Sequence, residues 1–267
     1  MAEARNPKRQ EERAERLTPL PSSVVYETFL LVVWTCYGTC IGSFLNVLIY
    51  RMPNGIPLVE KSRSFCPACG SRIVAWQNIP LVSFTILRGK CASCRIRIPL
   101  RYPAIEAITG GAFLLLALGF GFPEAFALAV LTSCLVVAAC VDWGHGRIPV
   151  PVVLVGLVGG LAASAAWPSL QAQTLWQKSL TLSVTGAMLL GGLMLLSSYP
   201  AQRRVGYALL AAMAGSFLGS GLGVAALLAA GCFQIGATVS KKRLSFGVAA
   251  AFGVAAVLAL GRAIWGR

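Results

Sequence analysis

The chain has 267 residues, 57% of them hydrophobic and only 12% charged, with a mean hydropathy of +0.73 and a formal net charge of +14. Soluble domains are about 45–50% apolar and roughly 25% charged, so this composition excludes an ordinary soluble enzyme, a disordered chain and a disulfide-rich secreted scaffold. So much apolar surface needs lipid as its solvent, and the Lys and Arg residues are therefore read first as topology signals.

In chain order, residues 1–22 form a polar, charged tail, without the short apolar segment and small-residue site of a cleavable signal peptide. An apolar run follows over about 24–50, long enough for a spanning helix of roughly 20 residues. Residues 51–103 are a polar insert rich in Cys, Arg and Pro. Further spans are expected near 104–120, 124–141, 148–167, 179–198, 205–219, 221–239 and 245–263. The expected fold is thus an all-α polytopic membrane protein of about eight transmembrane helices with a small cytoplasmic zinc-binding insert. Breaks are expected at Gly121–Pro123, at an Asp142–Arg147 loop, at 168–178, at 197–204, at Gly219–Gly223 and at Lys241–Arg243.

Positive charges set the orientation. With the insert cytoplasmic, that face holds fifteen of the 23 Lys and Arg, against eight on the other face, five of those in the tail. The excess of positive charge inside favours a cytoplasmic insert, and places the Asp142 loop on the same side.

Few residues are available for catalysis. Of nine acidic residues eight are Glu, and Asp142 is the only aspartate; His145 is the only histidine. A serine–histidine–aspartate triad would need both, three positions apart. A His-rich metal site is excluded. Cysteine is the informative residue. Cys66-Pro-Ala-Cys69 and, 21 residues on, Cys91-Ala-Ser-Cys94 form two C-x-x-C knuckles. Four thiolates at this spacing complete a tetrahedral zinc shell with no open position, which implies a structural role; two disulfides or free thiols are the plainer alternative. Cys36, Cys40, Cys134, Cys140 and Cys232 lie in apolar spans and read as core residues.

These features resemble the prepilin leader peptidase/N-methyltransferase family, bifunctional inner-membrane enzymes that mature type IV pilins and type II secretion pseudopilins. The resemblance lies in Gly42-Ser-Phe-Leu-Asn-Val-Leu-Ile-Tyr-Arg51, the two knuckles, Asn78-Ile-Pro80, Ser83, Leu87-Arg-Gly-Lys-Cys91, Arg101-Tyr-Pro103 with Glu106, and Asp142 before Ile148-Pro149. The family's usual Asp before Asn-Ile-Pro is Gln77 here. Asp142 matches the first catalytic aspartate. The second belongs to a G-x-G-D-x-K motif, and setting the following Leu-Leu-Ala-Ala on Leu209–Ala212 puts Gly206 where that aspartate is expected and Ala208 where the lysine is.

The resemblance implies three regions: a tail (1–22), the first span with a Cys-rich methyltransferase-like domain (23–110), and an aspartic-peptidase-like helical domain (111–267). It implies structural zinc on Cys66, Cys69, Cys91 and Cys94, S-adenosylmethionine as methyl donor, and a prepilin or pseudopilin peptide as partner in the lipid bilayer, with no nucleic acid. Candidate cofactor residues are Asn46, Arg51, Gly89 and Glu106. Two carboxyls sharing a proton are the chemistry of an aspartic peptidase, so cleavage here needs a second acid in place of the missing one; Glu106 is the candidate substitute. N-methylation does not depend on it. The alternative is a non-catalytic pilin-binding or assembly factor.

Overall fold

A computed structural model describes residues 22–58, 64–167, 176–195 and 205–218. Six long helices account for most of them: α1 (Ser22–Arg51), α3 (Arg101–Gly119), α4 (Phe122–His145), α5 (Val150–Ala166), α6 (Trp176–Leu195) and α7 (Val205–Leu218). Between α1 and α3 the insert carries one 3-10 turn (Ala75–Asn78) and the short helix α2 (Val82–Ile86). Among the described residues α1, α3 and α4 are long and apolar enough to cross a membrane, and α5 and α7 are shorter apolar helices. The first six expected spans each coincide with one of these helices; 221–239 and 245–263 lie outside the described residues, so the expected total of eight rests on the sequence alone.

The helices end where local chemistry requires. Pro123 sits in the first turn of α4, where its missing N–H costs nothing. At the other end Gly146 adopts φ 62°, and its N–H returns to the Asp142 carbonyl at 2.8 Å. This left-handed cap is open to glycine without a Cβ penalty. It also corrects the expected Asp142–Arg147 loop: nothing before Gly146 breaks the helix, so Asp142 lies within the last turn of α4 rather than in a loop.

In lipid, helices gain little from hiding apolar surface from one another, so close packing of small residues holds them together. The α1–α3 seam is built this way. A Cβ at Gly42 would stand 2.8 Å from the Glu106 Cα, and one at Gly38 2.7 Å from the Phe113 ring. Trp34 donates its indole N–H to the Phe113 carbonyl at 2.9 Å across the same seam. The most buried of the three long spans is α4, with 61% of its apolar window inside the protein, against 17% for α1 and 33% for α3. It is therefore the central helix. One apolar cluster joins Phe113, Leu128, Leu131, Val153, Met213 and Phe217; a second joins Leu45 and Ile49 of α1, Ile105 of α3, and Val137 and Val141 of α4.

Candidate functional sites: a four-cysteine centre and a buried aspartate

The two cysteine knuckles share one geometry. Antiparallel bridges pair Phe65 with Arg72 and Lys90 with Arg97, each one residue before and six after the first cysteine. The first-cysteine amides donate across these bridges to Ser71 and Ile96, and the first-cysteine carbonyls accept from Gly70 and Arg95. The residue after the second cysteine is left-handed in both, Gly70 at φ 70° and Arg95 at φ 60°. Sequence reading recognised the glycine turn but not that an arginine makes the same turn in the second knuckle.

The four Sγ atoms of Cys66, Cys69, Cys91 and Cys94 all lie within 4.8 Å of one another, and Cys66 and Cys94 are 4.0 Å apart. Tetrahedral zinc with Zn–S near 2.3 Å needs sulfurs about 3.8 Å apart, so the donor set fits a metal of that kind. The thiols are unequal. Backbone N–H groups of Cys94 and Ser93 push Cys91 down to about 6. The Ser71 hydroxyl and amide lower Cys69. For Cys94 the Ile96 amide favours the thiolate, but desolvation and the neighbouring cysteines outweigh it and push Cys94 up to about 11. A divalent cation would replace the shared protons of such a cluster.

The insert is tied to the bundle at several points. Glu106, in the second turn of α3, accepts the Leu81 N–H at 2.8 Å, with Ser43 of α1 beside the same carboxylate. Leu81 itself holds φ 61°, ψ −44°, and the Val82 N–H reaches back to the Pro80 carbonyl at 2.6 Å. This is a γ-turn of the strained, positive-φ kind, which costs on the order of 1–3 kcal/mol and persists only where its surroundings hold it. Glu106 is one such hold. Arg51, buried at the end of α1, donates to the Pro57 and Leu58 carbonyls at 3.3 Å and shapes the exit from α1. Asn46, 3% exposed, donates to the Tyr102 carbonyl at 3.1 Å and, more weakly, to Gly42; its Oδ1 is buried with no hydrogen-bond partner among the described residues. Gly89 takes φ 66° against the Phe84 ring.

Asp142 is buried at 3% exposure. Its Oδ1 accepts the Tyr207 hydroxyl at 3.2 Å, and Tyr207 is equally buried. A cavity of about 600 Å³ lies at the same helix end, lined by Val141 and His145 of α4, by Arg147 to Pro151, and by Met52 and Pro53 just beyond α1; Asp142 and Tyr207 are not in its lining. The ends of α1 and α4 thus meet, so the aspartate lies at the end of the bundle from which the cysteine insert emerges. Gly206 faces Ile148: a Cβ built on it would stand 2.9 Å from the Ile148 Cβ. The space a side chain at 206 would need is filled by isoleucine. The structure therefore brings Asp142 together with Tyr207, and Glu106 together with Ser43 and Leu81. Tyr207 is the residue that sequence reading missed; its one signal was its position beside Gly206.

The profile described as "Bacterial Peptidase A24 N-terminal domain" matches residues 36–120, which run from α1 through the knuckles to the end of α3. The "Type 4 prepilin-like proteins leader peptide-processing enzyme" of Escherichia coli O78:H11 is 33% identical over 241 residues, covering 81% of this chain and 88% of that protein. The chain belongs to the prepilin leader peptidase/N-methyltransferase family. The prepilin leader peptidase/N-methyltransferases of Myxococcus xanthus and Neisseria gonorrhoeae are 38% and 36% identical over 139 and 165 residues. Those alignments cover 52% and 51% of this chain but only 40% and 58% of the relatives. The chain thus spans about half the length of these two family members. No solved structure matches it.

Proposed function

We propose that this chain processes type IV prepilin-like precursors in the bacterial inner membrane, with the insert and Asp142 on the cytoplasmic side. The observation that carries the reading is Asp142: the only aspartate of the chain is buried at the end of the bundle, and its chain neighbour Val141 lines a cavity of about 600 Å³. An ionisable residue enclosed in a membrane domain is a functional site by default. Leader cleavage there works with a group other than a second aspartate, because Gly206 supplies none.

The four cysteines hold structural zinc, which closes a loop segment too small for a core of its own. The half formed by α1, the insert and α3 carries methyl transfer to the new N-terminal amine, and S-adenosylmethionine supplies the methyl group when bound. Of the four residues the resemblance suggests for it, Asn46 offers an unused buried acceptor and Glu106 a carboxylate on the same seam, and these two fit a ligand bearing donors. Arg51 and Gly89 are accounted for by the turns they hold.

A second reading, a non-catalytic pilin-binding or assembly factor, is favoured by one observation, the Ile148 side chain packed where a second acid would project. The full-length protein in lipid nanodiscs, incubated with a prepilin-like peptide and S-adenosylmethionine and read by mass spectrometry, separates the two. Leader loss abolished by Asp142→Asn supports processing. Methylation of a pre-cut peptide without cleavage leaves only the transferase half. Neither product, with peptide still bound, establishes the assembly factor.

A further inference from the structure

We propose that Tyr207 takes the place of the missing second acid, its phenol and the Asp142 carboxylate forming the proton-handling pair of this chain's cleavage centre. The inference rests on the processing reading above and says which group does the work that the lost aspartate did.

Three observations carry it. The Tyr207 hydroxyl donates to Asp142 Oδ1 at 3.2 Å, so the phenol proton is directed at the carboxylate. Tyr207 immediately follows Gly206 at the start of α7, and it reaches the acid while position 206 is blocked by Ile148. The acid sits in the last turn of α4, between Val141 and His145, which line a cavity at that helix end, while Asp142 and Tyr207 themselves lie buried behind that lining.

The chemistry of a phenol suits the role. Two carboxyls are competent only while they hold one proton between them, that is, between the two macroscopic pKa values of the pair. A phenol is a far weaker acid than a carboxyl, so in a phenol–carboxylate pair the proton stays on the phenol, where two carboxyls would compete for it. In the step, Asp142 takes a proton from water as the water oxygen bonds to the scissile carbonyl carbon. The carbonyl π pair moves onto its oxygen, which accepts the Tyr207 O–H hydrogen bond. The C–N bond then breaks, and Asp142 returns the proton to the leaving nitrogen. One water and one peptide bond are consumed, one carboxyl and one amine are formed, and no further reactant enters. A single oxyanion donor or general acid contributes roughly 10²–10⁴-fold to such a reaction.

Cys140 and His145 flank Asp142 along α4, Arg147 lies on the link to α5, and Arg51 precedes Met52 at the end of α1; His145, Arg147 and Met52 line the cavity at this helix end.

The test uses the full-length chain in nanodiscs with a prepilin-like peptide, comparing wild type, Tyr207→Phe, Asp142→Asn and His145→Gln. Tyr207→Phe keeps the ring and its packing. It is expected to lower kcat about 100-fold or more with KM unchanged and the fold retained, at most a modest fall in melting temperature marking the lost buried hydrogen bond, while Asp142→Asn abolishes cleavage. His145→Gln tests whether the pH profile belongs to the pair and not to the neighbouring imidazole. Replacing tyrosine by a fluorinated tyrosine of lower pKa should pull the alkaline limb down in pH, a shift that a purely structural hydroxyl would not produce. Cleavage that needs Asp142 but is unchanged in Tyr207→Phe overturns the assignment of Tyr207 and leaves the peptidase standing. No cleavage by wild type, or cleavage indifferent to Asp142→Asn, overturns both.

Discussion

The α1–α3 half with its insert and the α4–α7 half have kept their motifs to different degrees. In the first half the motif residues other than the Asp replaced by Gln77 are present, and several have a clear structural role: four sulfurs within 4.8 Å, Glu106 on the Leu81 amide, Asn46 on the Tyr102 carbonyl. In the second half one acid is buried, while Gly206, the position that the resemblance aligns with a second aspartate, packs against isoleucine. The contrast teaches that a metal knuckle and a catalytic pair fail differently. Four thiolates are jointly required for a stable insert, so losing one removes the structure. A carboxylate pair is needed only for the reaction, and the fold around it survives the loss of one member.

The largest expected effect lies in the first half. Cys66→Ser or Cys94→Ser should take bound zinc from one equivalent per chain to near zero by elemental analysis, and open residues 64–100 to protease, as should a strong chelator. Apparent binding free energies of structural zinc reach about 10–16 kcal/mol, so little of the insert's order should outlast the metal. The same cysteine changes should leave α4–α7 protected from hydrogen exchange; collapse of both halves together would break the comparison.

Next comes the seam. Gly42→Val would place a side chain against the Glu106 backbone and should destabilise the α1–α3 pair by about 1–3 kcal/mol or more in a denaturation assay in lipid. Gly111, with open space at its Cβ position, should accept Ala at almost no cost. Glu106→Ala removes the hold on the Leu81 turn and should cost about 1–3 kcal/mol, the range for a buried hydrogen bond to a charged group, with faster amide exchange around 80–88.

The smallest effect on stability, and the sharpest on the comparison, concerns position 206. Gly206→Asp alone forces the new side chain onto Ile148 and should be destabilising. Gly206→Asp with Ile148→Ala opens the space and should give a two-carboxylate pair, read as leader cleavage confined to a narrower, more acidic pH window than that of wild type. Cleavage in the double variant with none in wild type would identify the natural chain as a binding protein with a silenced centre.

Much of this was legible in the residues themselves. The spacing of Cys66, Cys69, Cys91 and Cys94 predicted the cluster, because a C-x-x-C turn is a local structure and four thiolates have one economical way to meet. Six helices could be read from apolar runs, because length and hydropathy alone decide what crosses a bilayer. The solitary aspartate and the gap at Gly206 were visible in the composition and the motif alignment. The extension of α4 through Asp142 was missed, because Asp, Trp and Gly read as a loop while the helix continues to its cap at Gly146.

The sequence by itself determined which elements form, which side chains can bind metal and that only one aspartate exists. Tertiary structure decided what that aspartate touches. The meeting of Tyr207 with Asp142 joins residues 65 positions apart. The filling of position 206 by Ile148 likewise joins the start of α7 to the link before α5. Neither leaves a periodic or local trace, because each depends on how closely small residues let the helices approach, a property of the packed pair and not of either strand of sequence.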